Sequence, residues 1–334
     1  MKQLLQKLTE TFGPSGYEDK VRELVQAEVQ PLADEIHVDV LGNLIARKRP
    51  GRQTKDSRKI MIAAHMDEIG LIASHVDANG FVRFASLGGV FRAYVPGGRV
   101  RFLNGTQGVI GFDRQNNPNE LPTLDKTYID VGATGQKDCP VKIGDVAAFD
   151  RPFADLGSRL VAKSMDDRVG VLVAIEALRA LKSTPHDVYF VFTTQEEVGT
   201  RGAATSAYGI DPDVGIAVDV TSAGDTPNAP KVEMALGKGP CVKIQDGSMV
   251  ADPRLVQWMI RTAEKAGLPY QREVLLKGGT DARAIQLTRA GVPAGAISIP
   301  VRYVHSPSEM VDTSDVQNAV KLLTALLRAP VDLR

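Results

Sequence analysis

The sequence predicts an α/β fold interrupted by a small all-β domain. Residues 1–68 and 161–334 alternate helical and strand periodicity, as in a sheet covered on both faces. From about Glu68 to Leu160, short apolar runs recur roughly every ten residues, separated by glycine-rich turns such as Asn79-Gly80, Gly88-Gly89 and Pro96-Gly97-Gly98. The 334 residues also exceed the ~250–300 at which one core stops growing. The simplest division is one α/β domain, 1–68 plus 161–334, carrying an inserted β-barrel domain at 69–160.

Each element has a local cause. Leu4, Leu5, Leu8 and Phe12 give helical spacing over 2–12, and Gly13-Pro14-Ser15-Gly16 breaks it. A second helix is expected from about Glu18 to Leu32, with Val21, Leu24, Val25 and Val29 on one face. Strands His37–Val40 and Asn43–Lys48 flank a Gly42 turn, and the continuous apolar run Lys59–His65 reads as a buried strand. Within the insert, the polar stretch Arg114–Leu121 is expected to be a long loop. Beyond it, helices are expected at Val169–Leu181, Arg201–Tyr208, Ala251–Ala266, Asp281–Arg289 and Ser314–Arg328. Strands are expected at Val188–Thr194, Val214–Val220, Gln271–Leu276 and Ala294–Ile299.

Composition excludes several classes. Lys+Arg and Asp+Glu are 40 each, so no basic surplus attracts nucleic acid or an anionic membrane. No apolar run approaches the ~20 residues of a membrane span. Cys139 and Cys241 lie far apart, which argues against both a disulfide framework and a thiolate metal site. The amphipathic start does not read as a signal peptide, so a cytoplasmic location is expected.

Five strand ends and loops carry chemistry-bearing residues. His65 and Asp67 close a buried strand and point the same way, so Asp67 can accept the second imidazole N–H; either residue can equally cap a turn. Asp166-Asp167 opens a helix, as capping groups or as a carboxylate bridging two cations. Glu196-Glu197 follows a strand, where two carboxylates repel unless a cation or proton separates them. Asp219 ends another buried strand, and His305 follows the strand Ala294–Ile299. Each alone has a bland reading as a turn or surface residue. Together they form a set of oxygen and imidazole donors without thiolate, which suits zinc, cobalt or manganese. Two such ions ~3.5–4 Å apart form a hydrolytic clamp. His37, His75 and His186 lie outside this set.

The segments Ala64-His65-Met66-Asp67-Glu68-Ile69-Gly70, Lys163-Ser164-Met165-Asp166-Asp167-Arg168, Glu196-Glu197-Val198-Gly199-Thr200-Arg201-Gly202 and Gly278-Gly279-Thr280-Asp281-Ala282 are specific enough to place the chain near a family. The sequence resembles the co-catalytic dinuclear zinc aminopeptidases. More narrowly it resembles their TET-type branch, which includes glutamyl aminopeptidase and proteins often labelled endoglucanases. The likeness runs over essentially the whole chain, including Pro14-Ser15-Gly16-Tyr17-Glu18. Ser164-Met165 stands where the family commonly has Ala-Phe or similar, with every ligand in place.

The resemblance implies a mixed-sheet, three-layer zinc-exopeptidase domain with an inserted barrel that mediates dimerisation. It implies one metal on His65, Asp166 and Asp219, and a second on Asp166, Glu197 and His305. Zinc or cobalt are the leading ions, with manganese as a further candidate. Glu196 is then the general base, Asp67 orients His65, and the Asp166–Asp167 peptide is cis. Short peptides are the implied partners, inside a tetrahedral dodecamer built from dimers. Thr280 and Asp281 are expected to line the substrate site, or else to cap their helix. An acidic-specific pocket needs a cation, for which Arg283, Arg302 and Lys277 are candidates; apolar or broad specificity fits equally well. The rival classes are a glycoside hydrolase, which needs only two carboxylates, and a non-catalytic binding protein.

Overall fold

The computed structural model describes residues 1–114, 117, 119–229 and 231–333. Within the expected loop Arg114–Leu121, positions 115, 116 and 118 lie outside the described residues.

Helices α1 (Lys2–Glu10) and α2 (Asp19–Val29) precede strands β1 (Glu35–Val38), β2 (Leu44–Lys48) and β3 (Lys59–His65). Six strands follow: β4 (Gly70–Val76), β5 (Val82–Leu87), β6 (Arg99–Phe102), β7 (Gln107–Phe112), β8 (Thr127–Asp130) and β9 (Val146–Phe149). β10 (Ala154–Asp155) and β11 (Arg159–Ala162) lead into α3 (Met165–Ala180). Then come β12 (Asp187–Thr193), α4 (Arg201–Ile210), β13 (Val214–Ser222), β14 (Cys241–Gln245) and α5 (Pro253–Lys265). β15 (Gln271–Val274), α6 (Asp281–Gln286), β16 (Ala294–Arg302), β17 (Glu309–Asp312) and α7 (Thr313–Arg328) complete the order.

Strands β4 to β9 close into a barrel of order β4-β5-β8-β7-β6-β9 around its own core, which includes Leu71, Val82, Val100, Phe102, Ile110 and Ile129. The remaining strands form one mixed sheet of order β1-β2-β12-β3-β13-β16-β17-β11-β10, with β14 on β16 and β15 on β14. Its centre, β12-β3-β13-β16, is parallel. Strand alternation divides the burial: Ile60, Ile62 and Ala64 of β3 join the core beneath α2, α3 and α7, whereas Met61 and Ala63 join the core beneath α4 and α6. The result is three layers, helix–sheet–helix, with a barrel attached.

Four strands go beyond the periodicity reading: β10, β11, β14 and β17. β11 pairs with β17 and β10 with β11, so Ala154–Asp155 and Arg159–Ala162 belong to the large sheet. β14 carries Lys243, which is buried because Glu273 of the neighbouring strand accepts from its ammonium at 2.5 Å. A charged residue inside a short run hides a strand from an apolar pattern.

The chain around Gly13 is more than a helix breaker. Arg168 of α3 is fully buried and donates to the carbonyls of Met66 (2.7 Å) and Thr11 (2.9 Å), and also to that of Leu8. Glu68 lies 3.6 Å from the same guanidinium, accepts from Gly13 N (3.0 Å) and Lys163 Nζ (2.6 Å), and also from Ser164 Oγ. This network ties α1 to the turn between His65 and Asp67. Arg168→Met is expected to destabilise the fold by about 3–5 kcal/mol, because it strips the carbonyls of Leu8, Thr11 and Met66 of their buried donor and leaves Lys163 to balance Glu68 alone. A urea midpoint equal to that of the wild type would show the network carries no such weight.

Candidate metal centre

The parallel strands bring the site residues to one end of the sheet, where ligands of open α/β sheets gather. His65 is the last residue of β3, in register with Thr193 of β12. The β3–β13 pairing reaches Ala63↔Ala217, so His65 and Asp219, each two residues on, stand side by side. Glu196 and Glu197 follow β12, and Asp166 lies at the start of α3. His305 sits in the turn between β16 and β17, with φ +60°. Its backbone N–H donates to Glu309 Oε1 at 2.7 Å.

These side chains converge. His65 Nε2 lies 3.0 Å from Asp166 Oδ1, 3.8 Å from Asp219 Oδ1 and 4.0 Å from Glu196 Oε2. His305 Nε2 lies 3.2 Å from Asp166 Oδ2 and 3.3 Å from Glu197 Oε2. Asp166 therefore turns one oxygen to each imidazole. Ligand atoms of His65, Asp166 and Glu197 fall within 4.8 Å of one another, as do those of His65, Asp167 and Asp219.

The neighbouring aspartates differ. The Asp166–Asp167 peptide is cis. Asp167 accepts from His65 N (3.2 Å) and from Gly170 N (3.0 Å), so it acts as a local cap. A Cβ on Gly170 would stand 2.3 Å from either Asp167 oxygen, which is why a glycine occupies that helix position. Asp167 thus has backbone partners, while Asp166 faces the imidazoles.

Asp67 is more central than a partner to one histidine. His65 Nδ1 is 3.1 Å from the Asp67 carbonyl and 3.4 Å from its carboxylate. The carboxylate accepts from Ser15 Oγ (2.6 Å), Glu196 N (2.9 Å) and Glu197 N (3.2 Å). It therefore fixes the whole Glu196–Glu197 turn. Thr280 and Asp281 are both buried: the Thr280 hydroxyl lies beside Asp219, and Asp281 accepts from Thr193 Oγ1 at 2.5 Å. Of the candidate specificity cations, Arg302 is held by both Asp225 oxygens at 2.8 and 2.7 Å, whereas Arg283 and Lys277 are exposed.

The electrostatics are those of crowded anions. Burial pushes Asp219 up to about 7 and Asp281 up to about 6. Burial also holds Glu196 well above the ordinary carboxylate range; His65 draws it down, and Asp219 and Asp281 add to the rise. Glu197 is raised by burial and by Asp166. Burial opposes charge on His305, but Asp166 and Glu197 outweigh it and push the imidazole up to about 12. Burial acts upward on Asp166 too, and the two imidazoles overcome it and hold the group below its usual range. Glu197 Oε1 is buried with no hydrogen-bond partner among the described residues. Buried carboxylates that repel one another, with an oxygen left bare, fit a site built for cations.

Three members carry roles that the sequence did not assign them. Glu309 accepts from both Asp166 N (3.0 Å) and His305 N (2.7 Å), and burial and Asp166 hold it well above the usual range. Glu18 accepts from Gly16 N and Gln195 N, and burial with Asp67 nearby pushes it up to about 7. Ser15 holds Asp67. A glutamate four residues after His305 was the available signal for Glu309.

Comparison with known proteins finds aminopeptidases similar to this chain over nearly its whole length. A family model described as M42 glutamyl aminopeptidase matches residues 42–322. The lysyl aminopeptidase of Pyrococcus furiosus is 36% identical over 340 residues, covering 97% of this chain and 96% of its own. The solved aminopeptidase APDkam598 of the archaeon Desulfurococcus kamchatkensis is 44% identical with a TM-score of 0.93, covering 98% of this chain and 94% of that one. The TET1 peptidase of Pyrococcus horikoshii, which can assemble into a tetrahedron or a large octahedral shell, is 32% identical with a TM-score of 0.88, covering 98% and 99%.

Proposed function

The chain belongs to the M42 glutamyl aminopeptidase family and is a peptide hydrolase, and from that premise we propose that its buried imidazole–carboxylate cluster holds two divalent ions that serve the removal of N-terminal residues from short peptides. The carrying observation is Asp166, whose two oxygens face different imidazoles at 3.0 and 3.2 Å. His65, Asp219 and Asp166 would hold one ion, and Glu197, His305 and Asp166 the other. Asp167 is close enough to join the first group but already has two backbone partners. The donor set suits zinc or cobalt, with manganese also compatible.

Paired ions at such a site supply an activated water and polarise the scissile carbonyl. Glu196 is the group placed to take the proton of the attacking water and to return one to the leaving amine. Asp67 holds Glu196 in place through its backbone N–H. The substrate's free α-amino group is a cation, and the crowded carboxylates favour it at the cleft, which confines hydrolysis to the first peptide bond. A glycosidase reading leaves His65 and His305 without a task, since two carboxylates suffice for that chemistry.

Chelation tests the proposal. Treatment with 1,10-phenanthroline is expected to abolish hydrolysis of aminoacyl-nitroanilides, and added Co²⁺ or Zn²⁺ to restore it. Activity indifferent to the chelator would remove the ions from the reaction. Assembly as a tetrahedral dodecamer of dimers is part of the same reading, supported by the TET1 relative. A native particle of twelve 35.9 kDa subunits agrees with it, and a monomer does not. No helix among the described residues is long and apolar enough to cross a membrane. A cytoplasmic location is the accompanying proposal, from the free cysteines Cys139 and Cys241, and recovery in a secreted fraction would overturn it.

A further inference from the structure

The two imidazoles of the cluster are held by different parts of the molecule. His65 Nδ1 finds its acceptor two residues along its own chain, the Asp67 carbonyl at 3.1 Å. His305 Nδ1 instead donates to the carbonyl of Gly89, at 2.8 Å, across 216 residues of sequence. Gly89 lies in the connection between β5 and β6, so the group that sets the His305 tautomer comes from the barrel. The same connection touches more of this position. The Phe91 ring lies against His305, with centroids 5.7 Å apart and planes inclined by 33°.

The two glycines are there because nothing larger fits. A Cβ on Gly89 would stand 2.6 Å from His305 Nδ1 and 2.8 Å from Cε1. A Cβ on Gly88 would stand 3.1 Å from both Cβ and Oε2 of Glu197, and 2.9 Å from Ile69 Cγ2, at a φ of +79° that favours glycine. Gly88 therefore abuts Glu197, and Gly89 abuts and orients His305. The barrel connection therefore meets Glu197 and His305, the two side chains that belong to one proposed ion position and not to the other.

We infer that the Gly88-Gly89-Phe91 segment of the barrel is a positioning element for the Glu197–His305 ion alone, so that the two ion positions differ in what holds them. It rests on the two-ion reading of the cluster. An outer partner that fixes a histidine ligand is typically worth about 10–100-fold in metal affinity. The His65–Asp219 position, completed within the α/β domain, owes nothing to the segment.

The test is stepwise binding of Co²⁺ to the metal-stripped full-length protein, followed by calorimetry and by the visible absorption of the bound ion. Wild type is expected to bind two equivalents. Gly89→Ala is expected to weaken one step by roughly 10–100-fold and leave the other unchanged. Phe91→Ala, which removes the ring and leaves the backbone acceptor, is expected to weaken the same step by less. Val109→Ala, on the exposed face of β7, is the control for general disturbance of the barrel and is expected to change neither step. Should Gly89→Ala fail to fold, Phe91→Ala decides alone. Unchanged binding in both variants, or equal weakening of both steps, would overturn the inference. A wild-type protein that binds no Co²⁺ would instead overturn the two-ion reading beneath it.

Discussion

Glu196→Gln is expected to keep both ions and to lose nearly all turnover, by roughly 10²–10⁴-fold. The substitution preserves the shape of the side chain and the backbone N–H that Asp67 accepts at 2.9 Å. It removes the carboxylate's charge and with it the capacity to take a proton. Glu196 Oε2 lies 4.0 Å from His65 Nε2, farther from that imidazole than the oxygens of Asp166 at 3.0 Å and Asp219 at 3.8 Å. Aminoacyl-nitroanilide turnover, measured beside metal content, separates the two roles. Turnover within a few-fold of wild type would take the base role away from Glu196; loss of the ions would make it a ligand.

Asp166→Asn is expected to weaken both ions together, beyond the ~10–100-fold typical of an outer partner. Its carboxylate is the only side chain placed between both imidazoles in the geometry described, one oxygen to each. An amide offers one acceptor oxygen and an NH2 group that only donates, so it cannot turn an acceptor to each of two cations. Co²⁺ stoichiometry measures the effect. Retention of two ions at wild-type affinity would show that the bridge lies elsewhere, with Asp167 as the alternative carboxylate.

Much of this site was legible because its residues sit where apolar runs stop. β3 is buried at every position after its first and ends at His65, and β13 is buried through Asp219. An apolar run that ends on a metal-competent side chain marks both the strand and a candidate ligand. The supporting shell was not legible for the opposite reason. Ser15 reaches Asp67 across 52 residues and Glu309 reaches Asp166 across 143, distances no local pattern encodes; only the contact of Glu309 with His305 N, four residues back, is local. Asp67 shows the middle case. Period-2 alternation aimed it toward the cluster, but its service to the N–H groups of Glu196 and Glu197 depends on how β12 ends beside β3. β14 escaped for an energetic reason: Lys243 is buried in it only because Glu273 sits on the adjacent strand.

The barrel alters how the cluster is to be understood. A reading of ligands alone assigns the whole site to the α/β domain. Gly89 places a barrel carbonyl on His305, so the two parts of the chain meet at the proposed ion site.

The most direct measurement is a crystal structure of the protein grown with Zn²⁺, with anomalous data collected on both sides of the zinc edge. Two peaks are expected, one among His65, Asp219 and Asp166, the other among Glu197, His305 and Asp166. Density for no ion there, or for ions bound away from both imidazoles, would contradict the proposed hydrolytic centre.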